Sequence, residues 1–284
     1  MIGSCTMRTA GEQIEREGGG VGSQETWHHG LVADWWAEFN TGGPEIDYFG
    51  QFVEDAQPAL DAGCGSGRLL LPWLRAGYDV DGCDVSADMV ARCRDLAHRE
   101  GLAANVWVQA LHELAPPRRY RAIIACGVFG LGSTREQDKE ALHRFHESLE
   151  PGGTLVLDNE APYAIARRWH SWTKEGRGNL PEAWPSPGER TRAADGSERE
   201  LRVRALSLDP LDQTLVMEIR ADKWVDDASV ASEVHTLSMR MYFHAELLLM
   251  LEATGFAVAA VDGDHRREPA TPDSVFLIYI AERI

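Results

Sequence analysis

Residues Ala59-Leu60-Asp61-Ala62-Gly63-Cys64-Gly65-Ser66-Gly67, followed by an acid at Asp84, constrain this chain more than any other stretch. They read as a strand entering a glycine-rich turn, then a helix, then a second strand ending in a carboxylate. That order builds a nucleotide-sized pocket at the edge of a parallel sheet. Glycines turn the backbone tightly and let a ligand approach where a Cβ would stand. The helix after Gly67 directs its free N–H groups into the same space. Asp84 sits where a carboxylate can accept both hydroxyls of a ribose.

The glycine spacing narrows the ligand. A dinucleotide loop follows G-x-G-x-x-G. Gly63 and Gly65 fit it, but Arg68 holds the third position and Gly67 falls one residue early. Asp61 would repel a pyrophosphate and attract an ammonium. A ligand with a ribose, an adenine and an α-amino acid, but no phosphate, suits such a loop. The stretch 60–67 resembles the first motif of the class I methyltransferases. The match continues through Asp81-Gly82-Cys83-Asp84-Val85-Ser86-Ala87-Asp88-Met89 and through 149–157, Leu-Glu-Pro-Gly-Gly-Thr-Leu-Val-Leu. It covers about residues 27–160 well and the C-terminal region more loosely. The resemblance implies S-adenosylmethionine as cofactor.

A chain of 284 residues with 44% hydrophobic residues can bury one large α/β core with an embellishment. A formal charge of −17 argues against a nucleic-acid substrate, because phosphate readers need a basic surface. Five cysteines, an odd number scattered singly, read as reduced thiols in a cytoplasmic protein. No run of about eighteen apolar residues predicts a membrane span, and residues 1–26 read as a flexible tail without a signal-peptide core.

Along the chain, 27–39 reads as a helix with Leu31, Trp35 and Phe39 on one face. The resemblance implies that this N-terminal helix closes over the cofactor. Strands at 59–63, 78–84, 105–109, 120–126 and 153–159 alternate with helices at 68–76, after Ser86 to Gly101, and at 135–149. This is an α/β pattern, a doubly wound, mostly parallel sheet. Residues 27–160 form its core. From 161 to 195 the sequence is rich in Trp, Pro and Gly, and three alternating segments then follow at 201–208, 214–224 and 232–243. The region 161–243 thus reads as an inserted antiparallel meander, where methyltransferases similar to the glycine and amino-sugar N-methyltransferases carry a lid. A helix at 244–253 and strands at 256–261 and 274–281 complete the sheet over 244–284.

Ligands of open parallel sheets bind beyond the C-terminal strand ends. That rule assigns Asp61, Gly63, Gly65 and Gly67 to the amino-acid portion and ribose, and Asp84 to the ribose. Val85 and Met89 pack on the adenine. Arg68 either pairs with a carboxylate or is a surface arginine. Relatives carry an acid two positions after Gln109, for the adenine amine. Leu111 stands there instead, so its backbone N–H and the His112 side chain take its place. Cys126 lies under the sulfonium, with Phe129 nearby. Trp36, Phe129, Asn159, Trp169, Arg240 and Tyr242 are expected to line the acceptor pocket, and the tryptophans there point to an apolar or aromatic acceptor of specialised metabolism. A base is needed only if the acceptor holds a proton, and His170 and then Glu160 are the preferred bases. No metal is expected, since no H-x-x-x-H or C-x-x-C spacing occurs.

The leading expectation is methyl transfer to N, O or C of a small acceptor by a monomer or homodimer. Two alternatives remain open: a cofactor-binding enzyme of elimination or cyclisation, and a binding protein that no longer turns over.

Overall fold

The structure is a computed structural model and describes residues 26–185 and 190–284. The tail expected at 1–26 therefore lies outside the described residues, apart from Thr26. Helices α1 (Gly30–Phe39) and α2 (Glu45–Asp55) lead into the alternating unit. This runs β1 (Ala59–Ala62), α3 (Leu70–Arg75), β2 (Val80–Asp84), α4 (Ala87–Arg99), β3 (Val106–Val108), β4 (Tyr120–Ala125), α5 (Arg135–Ser148) and β5 (Leu149–Glu160). Two short helices, α6 (Ala166–His170) and α7 (Lys174–Arg177), precede strands β6 (Thr191–Arg192), β7 (Glu198–Asp209), β8 (Thr214–Val225) and β9 (Ala228–Arg240). Helix α8 (His244–Ala253) and strands β10 (Phe256–Gly263) and β11 (Phe276–Arg283) end the chain.

Seven strands form one sheet in the order β10-β11-β5-β4-β1-β2-β3. β1 to β5 run parallel, while β11 runs antiparallel to β5, and β10 to β11. Burial on both faces explains the apolar runs. Successive side chains of a strand point to opposite faces, so Ile123 of β4 joins Phe145, Leu247 and Tyr279 on one side. Ile124 joins Phe49, Leu70 and Val90 on the other.

The crossings of the chain from sheet to helix have local causes. Ser86 caps α4 by accepting from Met89 N at 3.1 Å. Thr134 and Gln137 form a reciprocal capping box on α5, each side chain accepting from the other's backbone N–H. Thr134→Ala is expected to lower stability by about 1 kcal/mol. Chemical denaturation with an unchanged midpoint would contradict this.

The other strands form a separate four-stranded antiparallel sheet, β6-β7-β8-β9. β8 and β9 turn through Asp226 and Asp227 at φ +48° and +61°, the left-handed geometry of a tight hairpin. One face packs on α1, where Ile219, Ala221 and Leu237 meet Trp27 and Val32. The face of α1 that docks is thus centred on Val32. Trp35 and Phe39, expected on the packed face, instead meet each other at a tilt and stay half-buried. The last meander strand stops at Arg240 rather than continuing to 243, because Met241 and Tyr242 turn inward and are buried. Among the described residues no helix is long and apolar enough to cross a membrane.

Candidate active site

A cavity of about 290 Å³ opens where β1, β2 and β4 end, roofed by the segment around α1 and by Leu237 of β9. Its floor is set by the glycine turn. The amides of Gly63 and Cys64 both donate to Cys83 O, at 2.7 and 2.9 Å, which ties the turn to β2. Gly63 has φ +88°, and a Cβ there would stand 2.3 Å from a methyl of Val128. No larger residue can hold this bend.

Asp84 ends β2 and is already oriented. Its Oδ2 accepts from Gly65 N at 2.9 Å and its Oδ1 from Ser86 N at 2.8 Å. Each oxygen retains a lone pair for a diol. Burial raises its pKa, while the amides of Ser86 and Gly65 pull the other way.

Asp61 is the unusual member. It is 2% exposed, and its Oδ2 has no hydrogen-bond partner. Its pKa is pushed up to about 7, chiefly by burial, with Arg68 opposing and Asp84 adding to the rise. A buried carboxylate with a vacant acceptor favours a cationic ligand. Arg68, the nearby cation, is engaged by Glu45 at 3.1 Å and lies 3.6 Å from Cys126 Sγ.

The roof is clamped on both sides. Ser86 Oγ donates to His28 O, Gly30 N to Asp88, and Leu31 N to Glu233 of β9. Asp34 pairs with Arg92 of α4 and Arg199 of β7. His28 faces the cavity, with Nδ1 3.1 Å from Thr26 Oγ1 and its ring edge-on to Trp36. Burial, aided by His29, lowers its pKa to about 4, so the imidazole is neutral near pH 7.

The expected cofactor residues Asp61, Gly63, Gly65, Arg68, Asp84, Val85, Met89, Leu111, His112 and Cys126 all border this cavity, as does Trp36. Gly67 does not. Its Cβ would collide with Leu71 and Cys93, so its smallness serves helix packing rather than the ligand. The expected acceptor residues are placed differently. Tyr242 is fully buried and donates to Asp138 Oδ2 at 2.6 Å. Asn159 donates to Tyr242 O, Phe129 packs on the Tyr242 ring, and Arg240 pairs with Asp212. None of these four lines the cavity. Trp169 packs against Trp172 and does not line the cavity.

The two expected bases are also displaced. His170 is exposed at the end of α6, and the carboxylate of Glu160 pairs with Arg168 at 2.5 Å. Both lie outside the cavity lining. Sequence reasoning missed Ser133, Gln137 and Asp138, which bring the start of α5 to the wall. The Thr134–Gln137 capping pair was the signal that a helix begins there.

The residues fit S-adenosylmethionine on these observations. The unpartnered Asp61 oxygen suits the ammonium of its amino-acid end. The Asp84 lone pairs suit the ribose, and Val85, Met89 and Leu111 give the adenine an apolar bed.

Residues 59–153 match the family described as Methyltransferase domain. The ubiquinone biosynthesis O-methyltransferase of Bradyrhizobium sp. (strain ORS 278) is 30% identical over 114 residues, 40% of this chain and 42% of that protein. The glycine/sarcosine N-methyltransferase of Halorhodospira halochloris is 30% identical over 134 residues, 45% of this chain and 48% of that one. The chain thus spans less than half the length of these curated relatives. Across the whole fold, the CcbJ methyltransferase of Streptomyces caelestis superposes with a TM-score of 0.69 at 21% identity, covering 92% of this chain and 99% of that one.

Proposed function

We propose that this chain, a member of the class I S-adenosylmethionine-dependent methyltransferases by its domain at 59–153 and its fold, transfers the cofactor's methyl group to a small-molecule acceptor. The observation that carries this reading is the buried carboxylate of Asp61, whose Oδ2 has no partner, in the same cavity as the pre-oriented Asp84. Among the lining residues three acids, Asp61, Asp84 and Asp138, and a single, already paired arginine suit a cationic nucleoside and disfavour a pyrophosphate.

The bound cofactor supplies an electrophilic methyl on a sulfonium. The chain supplies position. Asp84 fixes the ribose, Asp61 draws the ammonium, and the clamped roof over the cavity excludes water. Orientation of this kind accounts for most of the rate in a displacement that forms no charged intermediate on the enzyme. An amine or hydroxyl acceptor also gives up a proton. His28 borders the cavity as a neutral imidazole, and the burial that lowers its pKa to about 4 makes it a weak base, suited to accept a hydrogen bond from the acceptor rather than to hold its proton.

The test is incubation with S-adenosylmethionine and a panel of small amines, alcohols and phenols. Release of S-adenosylhomocysteine in step with a methylated product is the expected result. Product without that release would assign elimination or cyclisation. Tight binding without turnover would make the chain a binding protein. Uptake of NAD or FAD in preference to the sulfonium would overturn the reading.

A further inference from the structure

Below the cavity three side chains from distant parts of the chain converge. Cys126 follows β4, Asp158 belongs to β5, and His265 lies in the loop between β10 and β11. Cys126 Sγ is 3.5 Å from Asp158 Oδ2, and His265 Nε2 is 3.1 Å from the same oxygen. The three atoms all lie within 4.8 Å of one another. The side chains of His265 and Asp158 are 4% and 3% exposed, while Cys126 borders the cavity. Separations of 32 and 107 residues hide the trio from any spacing rule.

His265 reaches this position on a constrained backbone. Asp264 and His265 have φ +53° and +54°, two successive non-glycine residues in the left-handed region, which costs energy and persists only where the surroundings enforce it. Asp264 Oδ1 does so by accepting from the amides of Val275 and Phe276, at 2.7 and 2.9 Å. Tyr48, Phe49 and Phe276 then surround the imidazole.

We propose that Cys126, Asp158 and His265 form a site for one divalent transition-metal ion, best matched by Zn²⁺, with its fourth position open toward the cavity. Tetrahedral zinc, with bonds of about 2.3 Å to sulfur and 2.0 Å to nitrogen and oxygen, needs S···O and N···O separations of about 3.5 and 3.3 Å. The separations present already approach these values. A thiolate, a carboxylate and a neutral imidazole balance the charge of the ion, and thiolate with imidazole disfavours calcium and magnesium. Gly127 N donates to the other oxygen of Asp158, which orients the carboxylate as metal sites require. The guanidinium beside Cys126 is the one opposing charge identified, and Glu45 pairs with it at 3.1 Å.

In the metal-free protein the thiol and the imidazole both donate to Asp158. Metal entry releases the thiol proton, and the imidazole proton moves to Nδ1 to free Nε2. Affinity therefore rises with pH. The bound ion would join β4, β5 and the β10–β11 loop beneath the cofactor site.

The test is titration of the chelator-treated, untagged full chain with Co²⁺, followed by displacement with Zn²⁺. One equivalent of Co²⁺ with thiolate-to-cobalt charge-transfer absorption is expected. Cys126→Ser, a near-isosteric change, should abolish that absorption. His265→Ala should weaken binding at least tenfold. Thermal melting of each variant reports its folding, and S-adenosylmethionine binding by the wild-type chain, measured separately by calorimetry, tests the cofactor reading independently. Absence of the absorption in the wild-type chain, or its persistence in Cys126→Ser, would overturn the site.

Discussion

Asp84→Ala is expected to weaken S-adenosylmethionine binding by about 100-fold or more, read by calorimetry. Two charge-assisted hydrogen bonds to the ribose, at about 1.5 kcal/mol each, give that scale. A second loss adds to it. The carboxylate also holds the amide of Gly65 in the glycine turn and that of Ser86 at the head of α4. Removing it frees two donors and loosens the wall that the ligand meets. Asp84→Asn separates the two effects, because the amide oxygen can still accept from one backbone N–H. Its loss should be smaller than that of alanine. Equal affinity in wild type and Asp84→Ala would remove the ribose assignment.

The legible parts of this chain are those in which a few adjacent residues decide the outcome. The glycine turn, the acid closing β2 and the Ser86 cap each act within about four residues, and each lies where the sequence places it. The strands of the core show as apolar runs buried on both faces. The hairpin at 225–228 follows from two aspartates that tolerate a left-handed backbone. The acceptor side was less legible, because long-range burial decides it. Tyr242 alternates correctly for a pocket residue, yet Asp138, 104 residues earlier, captures its hydroxyl in the interior. The tryptophans at 169 and 172 find each other and Phe243 instead of a ligand. His28 carried no motif. Its place in the cavity comes from packing on Trp36 and from Ser86 holding its carbonyl, contacts across the fold that no spacing encodes.

Asp61→Asn should stabilise the ligand-free protein at neutral pH and weaken its grip on the cofactor. The free carboxyl titrates near 7, against about 3.9 in an unfolded chain. The folded state therefore holds more protons than the unfolded state between these values, and stability falls as pH rises through that window. The penalty is absent below about pH 4 and complete above pH 7. Asparagine keeps the shape and removes the charge, so its melting temperature should exceed the wild-type value at pH 7.5 and match it near pH 4. Each kcal/mol gained corresponds to roughly 2–4 °C at this chain length. Binding has the opposite sign. A cationic ligand favours the ionised acid, so wild-type affinity should climb between pH 6 and pH 7.5. The variant should be flat over that range and weaker by about tenfold at its upper end, equivalent to a pKa displacement of about one unit on binding. Parallel pH profiles for the two proteins would show that Asp61 does not meet the ligand's charge. A variant less stable than wild type at pH 7.5 would show that the Asp61 Oδ2 has a partner in the folded chain.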